Sequence, residues 1–232
     1  MIFDKKNKKI LVVAAHPDDE LLGCGGSLIK LRKQGFNIKC IFIADGESSR
    51  EMKKKIILEN ILQREMQAKK VSKILKFQKP EFSKLPDNKL DSVPILKIVK
   101  IIENHIKKFK PSIIFTHSLA DLNIDHSKIC KAVTTATRPF SKTFIKTILS
   151  FEVPSNSEIS FSQNKKVFIP NFYIDVSKEI KLKLKTIKIY KNELRKFPHP
   201  RSIKGIKSLA IYRGSQSGMK FAESFHILRG VN

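Results

Sequence analysis

Short apolar runs alternate along the chain with longer segments in which apolar residues recur every three or four positions. The runs at 10–15, 37–43, 111–116 and 144–151 are rich in isoleucine, valine and phenylalanine, as buried strands are. The longer segments have helical spacing and cover residues 20–34, 52–75, 95–109 and 126–137. This alternation predicts βαβ units, so we expect an α/β fold with a mostly parallel sheet and helices on both faces.

The remaining segments have a weaker pattern. Residues 80–90 predict a short strand and a turn, and residues 154–171 predict loop or edge structure. One amphipathic helix is predicted over 176–196 and another helix over 203–213. Because we find no internal repeat, linker or shift in composition, we expect a single Rossmann-like domain over residues 1–232.

The chain is strongly basic, with 46 Lys+Arg against 21 Asp+Glu and a net charge of +25. Such a charge favours anionic partners, including phosphorylated or nucleotide-linked sugars, acidic lipid headgroups and nucleic acid. The lysines are scattered, however, and the sequence has no helix-turn-helix or zinc-finger spacing. A non-catalytic basic protein that binds nucleic acid is therefore only an alternative, and we do not expect nucleic acid as a partner.

The cysteines and the apolar segments bear on the cellular compartment in which the protein is expected. The three cysteines form no CxxC pair and predict neither a disulfide framework nor a thiolate zinc site, which fits a reducing cytoplasm. The first residues do not resemble a signal peptide, and no apolar stretch approaches the roughly 20 residues of a membrane span. We expect a soluble cytoplasmic protein without a transmembrane segment. A peripheral membrane contact stays open, and the sequence does not predict the oligomeric state.

A polar cluster directly follows the first predicted strand, where residues 16–20 read HPDDE. Loops at the carboxyl ends of parallel strands face a common crevice, which makes this cluster a candidate active site. His16 and Asp19 are three positions apart, a spacing that places both on one face of a helical turn and Asp18 elsewhere. The acidic residues also suit an ordinary helix start, where they complement the helix dipole.

A second polar loop follows the strand at 111–116 and ends at His126. In a parallel sheet, this loop reaches the same edge as His16. His16, Asp19 and His126 then offer two nitrogens and one carboxylate, a set that suits Zn²⁺ with an open position for water and also accepts Fe²⁺. Spacing alone leaves open three alternative ligands from the same loop: His117, Asp121 and Asp125.

Together these motifs resemble the PIG-L/LmbE family of zinc-dependent N-deacetylases. Residues 15–20 (AHPDDE) and the small residues at 23–26 resemble the first family motif, and residues 123–126 (NIDH) resemble the second. The Arg-Glu pair at 64–65, the turn at 85–88 and the tail at 198–202 are similar to the branch that modifies sugars and polysaccharides. The resemblance extends over nearly the whole chain.

The resemblance implies an LmbE-like fold and a metal-dependent amidohydrolase. Its substrate would be an N-acetylated amino sugar or sugar conjugate in surface-glycan or nucleotide-sugar metabolism, and the alternative is a low-molecular-weight cofactor glycoside. His16, Asp19 and His126 would bind zinc. Asp18 would be the general base that takes a proton from water.

One position departs from the family pattern. Many relatives have a histidine three residues before the last zinc-binding histidine, whereas this chain has Asn123. Asn123 could donate a hydrogen bond to the oxyanion, and His117 or His199 could supply a proton if the fold brings either close. Asp125 is a candidate for tuning a neighbouring histidine. The general acid is therefore unassigned.

Four further residues are candidate substrate contacts. Arg64 could bind a hydroxyl, a carboxylate or a phosphate, although a paired helix arginine is its ordinary role. Asp45 follows the second strand in a loop that also suits a simple turn. His199 and Arg201 lie beside prolines in the tail. The small residues at 23–26 lack the spacing of a dinucleotide-binding loop, so they predict close packing of a helix on the sheet.

Overall fold

A computed structural model describes residues 3, 6–159 and 167–231. Its strands are β1 (Lys9–Ala14), β2 (Asn37–Ala44), β3 (Glu81–Leu85), β4 (Ile113–His117), β5 (Thr147–Phe151), β6 (Phe172–Asp175) and β7 (Ala222–Gly230). Its α-helices are α1 (Asp19–Lys33), α2 (Lys54–Leu75), α3 (Ile95–Phe109), α4 (Ile124–Ala136), α5 (Ile180–Thr186) and α6 (Ile203–Ser215). Within these described residues, seven strands form one sheet in the order β3-β2-β1-β4-β5-β7-β6.

The order in which successive strands are added to the sheet reverses beside β1. From β1 the chain moves outward through β2 and β3, then crosses back to β4 on the other side of β1, and these strands and β5 are parallel. Among the described strands, β7 and β6 alone introduce antiparallel pairs. The carboxyl ends of β1 and β4 therefore flank the crevice that such a reversal creates. The predicted mostly parallel sheet is confirmed.

Both faces of the sheet are buried beneath helices. Successive side chains of a strand point to opposite faces, so Val12 of β1 joins a core with residues of α1 and α2, and Val13 joins a core with residues of α3 and α4. Burial on both faces explains why these strands are continuous apolar runs rather than alternating ones. The predicted helices on both faces are confirmed.

Helix α1 approaches the sheet closely because residues 23–26 (GCGG), near its middle, carry little side-chain volume. A Cβ added at Gly23 would overlap the ring of Phe151 on β5, and one added at Gly26 would lie 2.9 Å from Val176. Cys24, between them, is buried and interrupts the helical backbone with φ −141°. The packing role predicted for residues 23–26 is confirmed.

The single helix predicted over 176–196 is wrong in extent. Helix α5 ends at Thr186 and continues only as a 3-10 turn over Ile187–Ile189. Tyr190 is fully buried and donates a hydrogen bond from its hydroxyl to Glu20 Oε1 at 2.7 Å. This tertiary contact overrides the local helical pattern, and the chain beyond it turns towards the end of β1.

The chain between β5 and α5 differs from its predicted loop or edge structure in one part and lies outside the described residues in another. Residues 172–175 form the short strand β6, which the pattern did not predict. Residues 160–166 of the loop or edge structure predicted over 154–171 lie outside the described residues. None of the helices in the described part of the chain combines the length and the apolar character that crossing a bilayer requires.

Substituting Gly23→Ala is expected to destabilise the protein by about 1–3 kcal/mol, because the new methyl group forces the packed Phe151 ring or helix α1 to move. Gly230→Ala is the matched control, since its added Cβ makes only an ordinary contact of 3.5 Å with Ile227. Urea denaturation measures both free energies of unfolding. An unchanged stability of Gly23→Ala would contradict the close approach of α1.

Candidate metal centre

Two chain segments meet at the carboxyl ends of β1 and β4. The turn after β1 carries His16 and leads into Asp19 at the start of α1, and the first turn of α4 carries His126. One ligand atom from each of these three buried residues lies within 4.8 Å of the others. We call this group, His16, Asp19 and His126, the His/Asp cluster. The fold thus brings together the three residues that the sequence grouped.

The distances within the His/Asp cluster fit a tetrahedral cation. Asp19 Oδ2 lies 3.4 Å from His16 Nδ1 and 3.4 Å from His126 Nε2. Two donors that each bind a tetrahedral zinc ion at about 2.0–2.1 Å are about 3.4 Å apart. Asp19 Oδ1 and His126 Nε2 are also buried without a hydrogen-bond partner among the described residues, an arrangement that is costly unless a ligand satisfies them. These side chains can therefore hold a metal ion.

Each histidine of the cluster has a carboxylate behind its other nitrogen. His16 Nε2 lies 3.2 Å from Asp125 Oδ2 and 2.9 Å from Asp87 Oδ1. His126 Nδ1 lies 3.1 Å from Asp121 Oδ1. Carboxylates in this position orient metal-binding imidazoles and make them better ligands.

The electrostatics of the cluster also favour a cation. Burial raises the pKa of Asp19, but the nearby His126 ring holds that pKa well below its usual value. Burial lowers the pKa of His126, but Asp121 and Asp19 raise it to about 9. A cation that binds here takes the place of the imidazole proton in balancing the carboxylate charge.

The three alternative ligands occupy supporting positions. His117 Nε2 accepts a hydrogen bond from the Ala15 N–H at 2.8 Å, so its lone pair is already used. Its ring stacks on that of His126 with centroids 3.8 Å apart. Burial and the neighbouring His126 lower the pKa of His117 to about 3, so the ring is neutral and is not a general acid near neutral pH. Asp121 lies behind His126, and Asp125 lies behind His16.

Asp18 directly precedes Asp19 of the His/Asp cluster and is held by two arginines. Its backbone has φ 134° and ψ −29°, a conformation that residues other than glycine rarely adopt. Its Oδ1 lies 3.3 Å from Arg64 Nη2, and its Oδ2 lies 3.4 Å from Arg201 Nη1. Burial raises the pKa of Asp18 to about 7, although both arginines lower it. A carboxyl group with this pKa can exchange a proton near neutral pH.

Arg64 is almost completely buried and binds protein groups. Its guanidinium lies 3.4 Å from Glu47 Oε1 and 3.4 Å from Glu193 Oε2, and it also donates to the carbonyl oxygen of Gly46. Together with the contact to Asp18, these bonds make Arg64 a support for that carboxylate. Its direct contact with a substrate stays a prediction.

The other candidate substrate contacts lie in loops at the same edge. The Arg201 N–H donates to His199 Nδ1 at 3.0 Å, and Arg201 Nε donates to Ser155 Oγ at 2.8 Å, which fixes the tail beside Asp18. Asp45 Oδ1 accepts two backbone N–H groups of its own loop, both at 2.8 Å. Asp45 therefore shapes the turn after β2. Substrate contacts by these residues stay predictions.

Asn123 caps helix α4. Its Oδ1 accepts from the N–H groups of Asp125 and His126 at 2.9 Å and 3.4 Å, and its Nδ2 donates to Asn88 Oδ1 at 3.0 Å. Both ends of the amide thus have protein partners. Nδ2 carries a second N–H beside the one donated to Asn88, and the predicted hydrogen bond from Asn123 to an oxyanion stays a prediction.

Two carboxylates of the site do not stand out in the sequence. Glu193 is buried and accepts from Arg50 Nη2 at 2.9 Å, although the predicted helix over 176–196 gave no reason to bury it. Asp87 lies in the turn after β3, and its contact with His16 was not predicted. Two signals for Asp87 were available: its place after a parallel strand, at the edge where the other site residues lie, and the resemblance of the turn at 85–88 to the family.

A comparison with protein families identifies the chain. The model of the PIG-L family, described as GlcNAc-PI de-N-acetylase, matches residues 11–137, which is more than half of the chain and contains the whole His/Asp cluster. The chain belongs to the PIG-L family. As a PIG-L protein it is a hydrolytic N-deacetylase, and the alternative of a non-catalytic nucleic-acid-binding protein is not supported.

Individual relatives agree with this assignment. The PIG-L chain is 24% identical to the diacetylchitobiose deacetylase of Thermococcus kodakarensis, over 97% of the chain and 84% of that protein. It is 29% identical to the uncharacterized deacetylase YaiS of Escherichia coli, over 65% of the chain and 76% of that protein. The N,N'-diacetylchitobiose deacetylase from Pyrococcus horikoshii has the same fold, with a TM-score of 0.78 at 20% identity over 97% of this chain and 85% of that one. The expected LmbE-like fold is confirmed.

Replacing Arg64→Met is expected to cost about 3–5 kcal/mol of stability at neutral pH, because Asp18, Glu47 and Glu193 lose their shared buried cation. Adding Glu193→Gln should restore part of this loss by removing one uncompensated charge. Arg138→Met, at an exposed arginine, is the control and should change stability by less than about 0.5 kcal/mol. Chemical denaturation provides the values. If the double variant recovers nothing, the electrostatic explanation is wrong.

Proposed function

We propose that this PIG-L protein is a zinc-dependent deacetylase that removes the acetyl group from an N-acetylated amino sugar or sugar conjugate. The observation that carries the proposal is the convergence of the His/Asp cluster in the crevice, with Asp18 beside it. Two relatives named as diacetylchitobiose deacetylases support an acetamido sugar as the substrate class.

His16, Asp19 and His126 would hold the metal. Two imidazoles and one carboxylate form the donor set of catalytic zinc sites that keep a position open, and Fe²⁺ is the second candidate because it accepts the same donors. When bound, the metal would make water more acidic and would polarise the amide carbonyl of the substrate.

Asp18 is the general base of the proposed reaction. Its carboxylate accepts a proton from the attacking water. Arg64 and Arg201 each contact one oxygen of the carboxylate, so it cannot turn freely, and their charges favour the ionised form that a base needs. Arg64 thus acts through Asp18.

Asp18 also returns the proton to the leaving amine. His117 is neutral and bonded to Ala15, and Asn123 has no titratable proton. The carboxyl group protonated in the first step therefore donates to the amine nitrogen as the C–N bond breaks, which releases acetate and the free amine. His199, which accepts from the Arg201 backbone, is the alternative donor.

Arg201 is the arginine beside Asp18 that a substrate can reach. Its side chain is 18% exposed, whereas that of Arg64 is 6% exposed. Arg201 is therefore proposed as a substrate contact, together with His199 and Asp45, which are half-buried in loops at the same edge. The net charge of +25 favours an anionic conjugate, so we propose a phosphorylated or nucleotide-linked sugar of surface-glycan metabolism rather than a neutral cofactor glycoside.

Asp18→Asn is expected to retain zinc and to lower the deacetylation rate by about 10²–10⁴-fold, because the amide cannot accept the proton of water. Metal analysis and acetate release measure the two effects separately. Asp91→Asn, at an exposed aspartate in the turn before α3, controls for the loss of one charge and should keep full activity. Normal turnover by zinc-loaded Asp18→Asn would refute the assignment of the base.

An acetate-release screen tests the substrate class. The anaerobically purified protein should contain zinc or iron and should release acetate from acetamido sugars, with the highest kcat/KM for a phosphorylated or nucleotide-linked member of a panel that includes diacetylchitobiose and a cofactor glycoside. His126→Ala should lose both metal and activity, whereas His226→Ala, at a histidine on β7, should keep both. A metal-free protein that is inactive on every acetamide would rule out the proposed function.

A further inference from the structure

Asp121 connects the cluster histidine His126 to the loop after β5. Its Oδ1 lies 3.1 Å from His126 Nδ1, and its Oδ2 accepts a hydrogen bond from Ser157 Oγ at 2.8 Å. All three residues are buried, so no bulk water competes for these contacts. The carboxylate thus lies between a histidine of α4 and a hydroxyl from another loop.

The position of Asp121 is fixed from two sides. Its Oδ1 also accepts the Asn123 N–H at 2.9 Å, which ties the carboxylate to its own loop. The Ser157 hydroxyl in turn accepts the Val153 N–H at 2.8 Å. Both carboxylate oxygens and the serine hydroxyl therefore have partners that hold them in place.

The His126 ring is restrained but its nitrogens are not satisfied. The ring stacks on that of His117 with planes 17° apart, which limits its rotation. Although Nδ1 is close to Asp121, the two atoms are not aligned as a hydrogen bond, and neither ring nitrogen has a hydrogen-bond partner among the described residues. A proton on Nδ1 would lie on the side of Asp121 and would leave the Nε2 lone pair on the side of Asp19.

We propose that Asp121 is the positioning residue for His126 and that Ser157 is the positioning residue for Asp121. The pair keeps the proton of His126 on Nδ1 and presents Nε2 to the metal. A carboxylate that accepts the second N–H of a metal-binding imidazole fixes its tautomer and orientation and strengthens the ligand. This inference rests on the metal site of the proposed function.

The assignment differs from what adjacency in the sequence suggests. Asp125 precedes His126 directly, yet its Oδ2 accepts from His16 Nε2 at 3.2 Å, and its two oxygens accept the N–H groups of Asn88 and Leu90 at 2.7 Å and 3.0 Å. Asp125 is therefore the partner of His16 and not of His126. The more distant Asp121 is the carboxylate that serves His126.

The loop after β5 offers a matched control. Ser155 and Ser157 are two residues apart, but Ser155 Oγ accepts from Arg201 Nε at 2.8 Å, on the side of Asp18, whereas Ser157 Oγ donates to Asp121. Removal of the Ser157 hydroxyl should therefore change metal affinity. Removal of the Ser155 hydroxyl should leave metal affinity unchanged.

The test is a competition titration of Zn²⁺ between a chromogenic chelator and the complete protein. Asp121→Asn should weaken zinc binding by about 10–100-fold, since the carboxylate no longer supports the imidazole. Ser157→Ala should weaken it by a smaller factor, and Ser155→Ala should not change it. In the zinc-loaded protein, long-range ¹H–¹⁵N correlation spectra should show His126 protonated at Nδ1.

The outcomes separate this inference from the proposed function. Equal zinc affinities of folded Asp121→Asn and the unsubstituted protein would overturn the positioning role and leave the metal site standing. If His126→Ala binds zinc as tightly as the unsubstituted protein, the metal site itself is wrong. If Asp121→Asn does not fold, the zinc affinity of Ser157→Ala and the tautomer of His126 provide the test. An unchanged zinc affinity of Ser157→Ala together with a proton on Nε2 of His126 would refute the inference.

Discussion

The parallel pairing of β1 with β4 is the constraint on which the site depends. Val13 lies opposite Thr116, so both strands end at the same level and their loops enter one crevice. The hydrogen bond from the Ala15 N–H to His117 joins the two strand ends just beyond the ladder. A slip of one residue would turn the side chains of one strand to the opposite face and would break this registry.

Much of the fold could be predicted from local pattern, and the exceptions share a physical cause. Strands such as β1 are buried on both faces and helices such as α3 have one apolar face, so their periodicity is visible in the sequence. The helix predicted over 176–196 ends early because Tyr190 is buried and donates a hydrogen bond to Glu20, which lies far away in the chain. No local window contains such a contact.

For the candidate site, the three residues of the His/Asp cluster could be predicted from the sequence, but their supporting partners could not. The grouping of His16 with Asp19 and His126 required only the strand ends and parallel topology. The partners of these residues required loop conformation, which the spacing of residues does not reveal. Residue spacing therefore does not reveal that Asp121, rather than the adjacent Asp125, lies 3.1 Å from His126, or that the chain returns after α5 to bring Glu193 beside Arg64.

The surroundings of Asp18 balance their own charge. Three arginines (Arg50, Arg64 and Arg201) alternate with three carboxyl groups (Asp18, Glu47 and Glu193), whereas the chain as a whole carries +25. The long-range field that attracts an anion is screened by dissolved ions within about 10 Å at moderate ionic strength, but close buried pairs are screened much less. Ionic strength should therefore act far more on the encounter with an anionic molecule than on proton transfer inside the crevice.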